Sequence, residues 1–488
     1  MTDTSPYILS LDIGTSSVRC TLYDGNGNTR GPSVQTLYDM ETSQDGGVFI
    51  NADRLVDLVS TTLDRFLSSP SLPKIQAVAT TTFWHNTLGV DRNHRAVTPL
   101  ISWADTRPAR IMPELRERLN ETAAHARTGC LLHPSYLPAK LVWLSRECPE
   151  PFHQAKQWLS IGEYLLLQYF GQTVCSVSMA SGTGLFNQKD CKWDTETLNA
   201  LPVDWSQLSP VADSAQPLTG LVALYARRWP TLRNVPWFPA VGDGACSNIG
   251  SGCVTPDRLA LMVGTSGALR VMWPGEPTAP PAGLWLYRAD RHRVLMGGAL
   301  SNGGNVYSWL QDTLRFSPET DSERALTTGE PDDHGLTVLP FWAGERSPGW
   351  HATARATLTG MTLHTQPGDI LRATLEATTY CFVSIYERIK PLHPGIQGLV
   401  ASGGGLLKSP AWMQMMADAL GETVMASAVP EASSRGAALL AAEAMGALSD
   451  LADAPMLLGE IYEPDSARHD RYRNAMARQK ALYDLLIN

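Results

Sequence analysis

The chain has 488 residues, of which 43% are hydrophobic and 18% are charged, and its formal net charge at pH 7 is −9. This length and composition exclude a disordered chain and predict a globular protein with two large domains. The acidic balance argues against a nucleic-acid partner, because no basic surplus is available to neutralise phosphates, but it permits a nucleotide held by backbone amides and one Mg²⁺.

Neither a secretory signal nor a membrane span is visible in the sequence. The first residues lack a basic segment followed by a long apolar one, and no apolar run reaches the ~18 residues of a spanning helix. The eight cysteines contain no CxxC pair, which favours reduced thiols over a disulfide frame or a zinc site. We therefore expect a cytoplasmic enzyme with no membrane partner.

The chain begins with two strand-like runs joined by a turn of small residues. Residues 7–13 are apolar and lead into the turn DIGTSS, after which residues 18–23 alternate like a second strand. The same type of hairpin returns in the second half, where the run 259–263 leads through GTSG into the run 268–273. A hairpin made twice predicts a duplicated fold with two facing halves.

The remaining pattern is mixed α/β. Between the hairpins it predicts a helix over 51–67, strands over 75–80, 88–91 and 99–103, and mainly helices over 108–238. After the second hairpin it predicts a strand over 293–296, a glycine-rich turn over 297–304, a helix over 306–314, a strand over 336–341, a helix over 369–390, a strand over 398–401, a helix from 410, and a last helix over 433–445.

The stretch 241–270 contains a candidate catalytic carboxylate and a candidate phosphate-binding turn. An apolar approach runs into Gly242-Asp243-Gly244, and an aspartate flanked by glycines at a strand end indicates a backbone that a bulky group approaches closely. The turn Gly264-Thr265-Ser266-Gly267 offers hydroxyls and backbone N–H groups, which suit phosphate oxygens. Taken alone, either turn is equally compatible with a plain hairpin, and neither matches a Walker A or a GxGxxG motif.

At this point the chain resembles a known family, the FGGY carbohydrate kinases of the actin/hexokinase-like superfamily. The motifs that carry the resemblance are, in chain order, LDIGTSSVR, TTFWHNTLGVD, WADTRP, VGDGACSNIGSG, VGTSGALR, SNGGNVYSWL, ASGGGLLKSPAWMQMMAD and EASSRGAALLAA. The resemblance implies two α/β domains of actin/hexokinase-like (ribonuclease H-like) fold around an interdomain catalytic cleft near residues 245–260. It implies an N-terminal, sugar-binding domain over 1–252 and a C-terminal, ATP-binding domain over 253–488.

The resemblance also implies roles for individual residues. They are Asp243 as the catalytic base that contacts the sugar, Asp12 as the Mg²⁺ ligand, Gly14 and Thr15 near the transferring phosphoryl, Gly264 and Thr265 in the second phosphate hairpin, Gly304, Gly404 and Lys408 at the adenosine, and Trp84, His85, Trp103 and Asp105 at the sugar. From the residues themselves, Trp84 and His85 are also compatible with core positions, and Asp105 is compatible with a structural pair with Arg107.

Within the family, the segments SIGEYLLLQYFG, SMASGTGLFN, MVGTSGALR and GERSPGWHATARATLTG resemble those of bacterial gluconate kinases. The expected reaction is ATP-dependent phosphorylation of D-gluconate to 6-phospho-D-gluconate, and His85, Arg107 and Arg346 are the candidates for its carboxylate. The pair Trp84-His85 departs from the Arg-Glu of glycerol kinases and the Met-His of xylulose kinases. A pentulose kinase is the alternative within the family, and an actin- or chaperone-like ATPase switch is the alternative from another class. The sequence leaves open whether the chain forms a homodimer.

Overall fold

The computed structural model describes residues 5–316 and 322–487. A five-stranded sheet forms the first half of the fold, in the order β5-β4-β1-β2-β3. Its strands are β1 (Tyr7–Ile13), β2 (Ser17–Tyr23), β3 (Thr29–Leu37), β4 (Ile75–Thr82) and β5 (Val241–Gly242). Strands β1 to β3 are antiparallel neighbours, whereas β4 runs parallel to both β1 and β5.

A seven-stranded sheet forms the second half, in the order β8-β9-β7-β6-β10-β11-β12. Its strands are β6 (Arg258–Val263), β7 (Gly267–Pro274), β8 (Trp285–Arg288), β9 (Arg293–Leu300), β10 (Gly398–Ser402), β11 (Val424–Ser427) and β12 (Leu458–Tyr462). The antiparallel set β6-β7-β9 and the parallel strands β10 and β11 repeat the arrangement of β1-β2-β3, β4 and β5. The predicted duplicated α/β fold is therefore confirmed.

Six helices are used in the argument below: α1 (Ala52–Leu67), α2 (Asp243–Gly250), α3 (Pro367–Ile389), α4 (Pro410–Leu420), α5 (Ala432–Ala444) and α6 (Ser466–Leu486). The other helices are Met112–Arg118, Glu121–Thr128, Leu137–Glu147, Pro149–Gln154, Ile161–Phe170, Val177–Ser181, Thr195–Asn199, Ala223–Arg228, Gly304–Thr313, Ser322–Thr327 and Gly404–Leu407, with short 3₁₀ turns at Arg107–Ile111, Trp205–Gln207, Pro230–Leu232 and Leu451–Asp453. Short strands, in sheets of two or three, lie at Glu41–Thr42, Val48–Ile50, Leu88–Val90, Leu100–Ile101, Gln157–Leu159, Cys175–Ser176, Phe186–Asn187, Lys192–Trp193, Val211–Ala212, Thr337–Leu339 and Thr357–Thr359.

Helix α1 shows why the sequence pattern predicted the helix over 51–67 correctly. The Asn51 side chain caps the helix by accepting a hydrogen bond from the Arg54 N–H at 2.9 Å. Leu55, Val59 and Leu63 recur at helical spacing and are completely buried against the first sheet. No helix in the described parts of the chain is long and apolar enough to cross a membrane.

Helices α2 and α5 cross in close contact and join the two halves. A Cβ atom on Gly250 would overlap the carbonyl group of Ala432, and one on Gly436 would overlap the carbonyl group of Cys246. Each helix thus offers two small residues four positions apart, which lets the backbones touch. Helix α5 follows β11 of the second sheet, yet it packs against β1 and β4 of the first. The second half therefore contributes a core element to the first.

Two expectations about the second half are wrong. Residues 297–304 were predicted as a glycine-rich turn, but β9 continues to Leu300 and buries Gly297 and Gly298, where the Leu269 carbonyl and the Ile385 side chain leave no room for a Cβ. The helix over 433–445 was predicted to be the last element, but α6 follows it. Only Tyr472 and Ala475 of α6 are buried, so its sequence has no apolar stripe to reveal it.

Replacing Gly436 by alanine tests the crossing. We expect Gly436→Ala to lower the free energy of unfolding by about 2 kcal/mol, because the new methyl group forces α2 and α5 apart. Urea unfolding measures the change. Gly395→Ala is the matched control, since no heavy atom lies within 4 Å of a Cβ there, and it should shift stability by no more than about 0.5 kcal/mol. Equal effects of the two substitutions would contradict a tight crossing.

Candidate active site

A cavity of about 160 Å³ lies between the two sheets and takes its lining from both halves. The first half contributes Phe83, Trp84, His85, Trp103, Ser135, Tyr136, Asp243 and Gly244, and the second contributes Met262, Ser266, Gly267, Ala268, Arg270, Trp285, Tyr287, Ala299, Arg346 and Trp350. Trp84, His85, Trp103 and Asp243 were predicted at the sugar, and the structure brings these four together.

The indole of Trp84 explains the glycines on either side of Asp243. A Cβ on Gly242 would overlap the indole ring, and one on Gly244 would lie 2.7 Å from it. A Cβ on Gly182 would lie 2.8 Å from Cδ1 of the same indole. The indole N–H donates to the carbonyl of Ser178 at 3.0 Å. Trp84 is thus both a core aromatic and one wall of the cavity, and it is the bulky group that the sequence indicated.

His85 is a neutral hydrogen-bonding group in this cavity. Its Nδ1–H donates to the carbonyl of Gly182 at 2.5 Å, and its backbone has a left-handed φ of 59°. The pKa of the imidazole is lowered to about 3, mainly by burial and also by the nearby cations Lys140 and Arg346. The remaining ring nitrogen, Nε2, is then an acceptor, so the expectation that His85 donates to a carboxylate is corrected.

Lys140 supports this wall, although no sequence pattern indicated such a role. Its side chain is completely buried within the helix Leu137–Glu147, and its ammonium donates to the carbonyl of His85. Burial lowers the pKa of Lys140 to about 7. The lysine therefore holds the unusual backbone of His85 in place and does not line the cavity itself.

Asp105 and Arg107 do not reach the cavity, which corrects the expectation for both. Arg107 Nη2 donates to Asp105 Oδ2 at 2.6 Å, and its Nε donates to Oδ1 at 3.0 Å. The other contacts of the pair are internal: the Val48 N–H donates to Asp105 Oδ2 at 3.1 Å, and the guanidinium lies 4.6 Å from the ring of Trp143. The sequence alternative, a structural pair, describes these residues.

Two arginines line the cavity, Arg270 buried and Arg346 partly buried. The guanidinium of Arg346 lies 5.2 Å from the ring of Trp103, and its Nη2 donates to the carbonyl of Leu300 at 2.7 Å. Its Nε is buried and has no hydrogen-bond partner among the described residues. Burial lowers the pKa of Arg346 to about 10, so the group remains charged at neutral pH. Arg270 is 5% exposed and makes two long hydrogen bonds, to the Gly244 carbonyl at 3.4 Å and to Asn248 Oδ1 at 3.5 Å.

Asp243 and Asp12 stand at the same edge of the first sheet. Asp243 opens α2 directly after β5, and Asp12 is the residue before the last one of β1. Since β4 lies between these two strands, the strands are about 10 Å apart. Burial raises the pKa of Asp243, whereas Arg270 and the Gly244 N–H, which donates to Oδ1 at 2.7 Å, lower it.

The pKa of the Asp12 carboxyl group is also raised. Burial raises its pKa to about 7; Arg19 opposes this shift, while the negative charges of Asp243 and Glu431 add to it. Arg19 lies opposite Asp12 on β2, with 4.0 Å between Nη1 and Oδ2, and also pairs with Glu431. Asp12 thus sits in a group of carboxylates that one arginine compensates incompletely.

The predicted nucleotide residues of the second half also come together. Three turns, containing Gly264, Gly304 and Gly404, meet backbone to backbone: the Gly304 N–H donates to the Gly264 carbonyl at 2.9 Å, and a Cβ on Gly405 would lie 3.2 Å from the Gly304 Cα. Thr265 is exposed at the tip of its turn, and the Lys408 side chain lies 3.8 Å from the Cβ position of Gly404. Because the Gly304 N–H already donates to Gly264, this residue shapes the backbone where the three turns meet and does not offer its N–H to a ligand.

The first hairpin is closed in the same manner. The Gly14 N–H donates to the Ser17 carbonyl at 2.9 Å, and the Tyr38 hydroxyl donates to the Gly14 carbonyl. Thr15 is partly exposed at the tip of the turn. The two predicted phosphate hairpins therefore share a closed backbone that presents small hydroxyl residues.

Several lining residues were not foreseen as site residues. The hydroxyls of Tyr136 and Tyr287 are 2.5 Å apart and join the two halves across the cavity. Trp285 stacks on Tyr287 with 4.3 Å between ring centroids. The alternation of Trp285 and Tyr287 on one face of β8 was the available signal, whereas Tyr136 and Arg270 carried none that sequence reasoning could use.

Asp332, His334 and Glu376 lie close enough to suggest a metal site away from the cavity. The Leu336 N–H donates to His334 Nδ1 at 3.0 Å, so the proton is on Nε2, which donates to Glu376 at 3.0 Å. Arg372 donates to the other oxygen of Glu376 at 2.9 Å, and Arg478 pairs with Asp332. Hydrogen bonds and ion pairs already use these groups, which therefore form a structural network.

Comparison with known proteins assigns the family. The N-terminal domain of the FGGY family of carbohydrate kinases matches residues 7–250, and the C-terminal domain of that family matches residues 259–445. The chain belongs to the FGGY family. It is a carbohydrate kinase, and the resemblance read from its motifs is confirmed.

The relatives of this FGGY kinase differ in their substrates. The gluconokinase of Bacillus subtilis is 28% identical over 497 residues, covering 99% of this chain and 95% of the relative, and the glycerol kinase of Rhodospirillum centenum is 30% identical over 472 residues, covering 92% and 91%. Crystal structures of a gluconate kinase and a xylulose kinase from Lactobacillus acidophilus each superpose with a TM-score of 0.92 at 27% identity, covering 99% of this chain and 98% of the other. Similarity therefore assigns the enzyme class and leaves the sugar to the residues of the cavity.

The perturbed pKa of Asp12 predicts a pH-dependent stability difference. The folded pKa is about 7 against an ordinary value of 3.8, so the folded protein holds this proton more tightly, and the free energy of unfolding falls as pH rises between these values. From pH 8 to pH 5, the native protein should therefore gain about 2 kcal/mol relative to Asp12→Asn. Urea unfolding of both proteins at the two pH values, without Mg²⁺, measures this. A difference independent of pH would contradict the raised pKa.

Proposed function

We propose that this FGGY kinase transfers the γ-phosphoryl group of ATP to the C6 hydroxyl of D-gluconate, giving 6-phospho-D-gluconate, with Asp243 as general base. The observation that carries the choice of substrate is Arg346, a partly buried cation at the cavity whose buried Nε has no partner among the described residues. The likeness to gluconokinases supports the same substrate.

The cavity favours an anionic sugar over a neutral one. Arg346 and Arg270 bring two positive charges to a cavity of about 160 Å³, and neither forms an ion pair with a carboxylate of the described residues. A guanidinium binds a carboxylate through parallel charge-assisted hydrogen bonds. A neutral polyol would leave these buried donors poorly paired, and such a mismatch discriminates strongly between substrates. Trp103 supports the Arg346 guanidinium from one side.

Asp243 has the properties of a general base for the acceptor hydroxyl. It faces the cavity from the start of α2, and burial raises its pKa toward neutrality, which makes the carboxylate a stronger base. Arg270 and the Gly244 N–H keep it ionised. His85 Nε2 and the hydroxyls of Tyr136 and Tyr287 would bind sugar hydroxyls and fix the chain of the substrate.

The residues around Asp12 fit Mg²⁺ and ATP. Burial is the main cause of the raised pKa of Asp12, and the negative charges of Asp243 and Glu431 add to it while Arg19 opposes it. Mg²⁺ prefers such oxygen ligands and, when bound, would neutralise charge on the phosphates. The turns of Thr15 and Thr265 would hold the phosphates, and Gly404 and Lys408 would contact the adenosine.

A pentulose, D-xylulose, is the second candidate. The similarity to a xylulose kinase structure equals that to a gluconate kinase structure. The neutral His85 would accept a hydrogen bond from a hydroxyl of either sugar. Gluconate is an anion and D-xylulose is neutral, so the positive charges of Arg346 and Arg270 favour gluconate.

A substrate panel tests the proposal directly. Purified protein with Mg-ATP is offered gluconate, D-xylulose, L-ribulose, glycerol and L-fuculose, and ADP release is followed. We expect gluconate to give the highest kcat/KM, and phosphorus NMR to place the product phosphate on C6. Faster turnover of a pentulose would retain the kinase and reject gluconate.

Removing the Arg346 charge should weaken gluconate binding selectively. We expect Arg346→Gln to raise the KM for gluconate about 10- to 100-fold, the value of one or two charge-assisted hydrogen bonds. The KM of any neutral sugar that is turned over should change much less. Arg355→Gln is the matched control, because Arg355 is exposed and donates only to backbone carbonyls. A parallel loss for neutral sugars would show that Arg346 acts on the fold.

Asp243→Asn should leave the fold intact and remove the base. We expect kcat to fall ~10²–10⁴-fold, because the hydroxyl proton then lacks an acceptor. Equilibrium dialysis with ADP should show unchanged nucleotide binding. Near-normal turnover of Asp243→Asn would exclude this residue from proton transfer.

A further inference from the structure

A second and larger cavity, of about 650 Å³, lies outside the proposed active site. This cavity, which we call the wedge, lies between helices α3 and α6. Residues 345–351, which we call the strap, close it on one side. We propose that this cavity binds a small amphipathic anion, with a flat apolar body and one negatively charged group, and that the strap couples this effector to the sugar site.

The inner surface of the wedge suits an apolar body. Phe341, Tyr380, Met476 and Tyr483 line it, and the rings of Phe341 and Tyr483 meet edge to face with 5.9 Å between centroids. Such aromatic walls favour a flat ring system, and burial of apolar area would be the main source of affinity. The volume is several times that of the sugar cavity and is ample for a two-ring molecule.

The charged groups at the wedge leave one cation open. Arg473 pairs with Glu387, and Lys480 pairs with Asp484. Arg388 forms no ion pair within the described parts of the chain; its Nη1 donates to the carbonyl and hydroxyl of Ser384, at 2.7 and 2.9 Å. The other nitrogens of this guanidinium are therefore available to an anionic group, and Arg388 is the residue that selects for negative charge.

The strap connects the two cavities through alternate residues. Glu345, Gly349 and His351 line the wedge, whereas Arg346 and Trp350 line the sugar cavity. Glu345 is held from the α6 side, because the Tyr483 hydroxyl donates to it at 2.8 Å and the Gly349 N–H donates at 3.1 Å. A molecule in the wedge that displaces Tyr483 or Glu345 would therefore act on the strap that carries Arg346.

The binding arm uses 8-anilinonaphthalene-1-sulfonate, a fluorescent two-ring sulfonate, in the presence of saturating Mg-ADP to block the nucleotide site. We expect saturable binding with one site per chain. Arg388→Gln should weaken it at least about tenfold, and Ala477→Trp, which fills the wedge, should abolish it. The matched controls are Lys390→Gln, a cation that directly follows α3 and lies outside the wedge, and Ala467→Trp on exposed α6 surface. Equal probe affinity in all four variants would overturn the site.

The coupling arm measures both directions of the same linkage. Saturating gluconate, or whichever sugar the panel identifies, should change the dissociation constant of the probe about fivefold or more, and the probe should change the dissociation constant of the sugar by the same factor. Arg388→Gln and Ala477→Trp should keep the basal kinase activity and lose this effect. Probe binding that ignores the sugar would overturn the coupling. The binding arm does not depend on the sugar, so its outcome is separate from the proposed function.

Discussion

The close crossing of helices α2 and α5 is the contact on which the rest of the structure depends. Neither helix can carry a side chain at its glycine, because the partner backbone occupies that space. Arg435 secures the crossing: its nitrogens donate to the carbonyls of Gly27 and Gly250, at 3.0 and 2.6 Å. Since α2 begins with Asp243, this packing also fixes where the proposed base stands. The backbone packing of these two helices thus contributes to the geometry of the site.

Trp84 imposes a second constraint on the same turn. The indole lies where side chains of residues 242 and 244 would be, so only glycine is possible on either side of Asp243. The ring in turn separates the sheet core from the cavity. The Gly-Asp-Gly pattern therefore results from packing, although it marks the proposed catalytic residue. A glycine motif of this kind indicates a close approach, and the identity of the approaching group has to come from the fold.

The sequence predicted the features that depend on local chemistry. Both small-residue hairpins, the capped helix α1 and the duplicated strand order followed from apolar runs and small-residue turns. It failed where a partner far along the chain decides the outcome. Asp105 was expected at the sugar, but Arg107 and the Val48 backbone use its oxygens. Gly297 suggested a turn, but it is a strand residue that faces a neighbouring carbonyl. Lys140 and Arg270 have no local signature, because only burial distinguishes them from surface cations.

Holding the charges of Asp12 and Arg346 away from water costs free energy, which bound ligands would offset. Burial moves the pKa values of Asp12 and Arg346 toward neutrality, which means that the empty protein holds both charged forms in unfavourable surroundings. Replacing these charges with neutral groups would relieve that strain and remove the driving force for binding a metal-phosphate on one side and an anionic sugar on the other. The proposed function needs opposite signs at the two sites. Asp12 and Arg346 form no ion pair with each other, so neither group neutralises the other, and in the proposed function each keeps its charge for its own ligand.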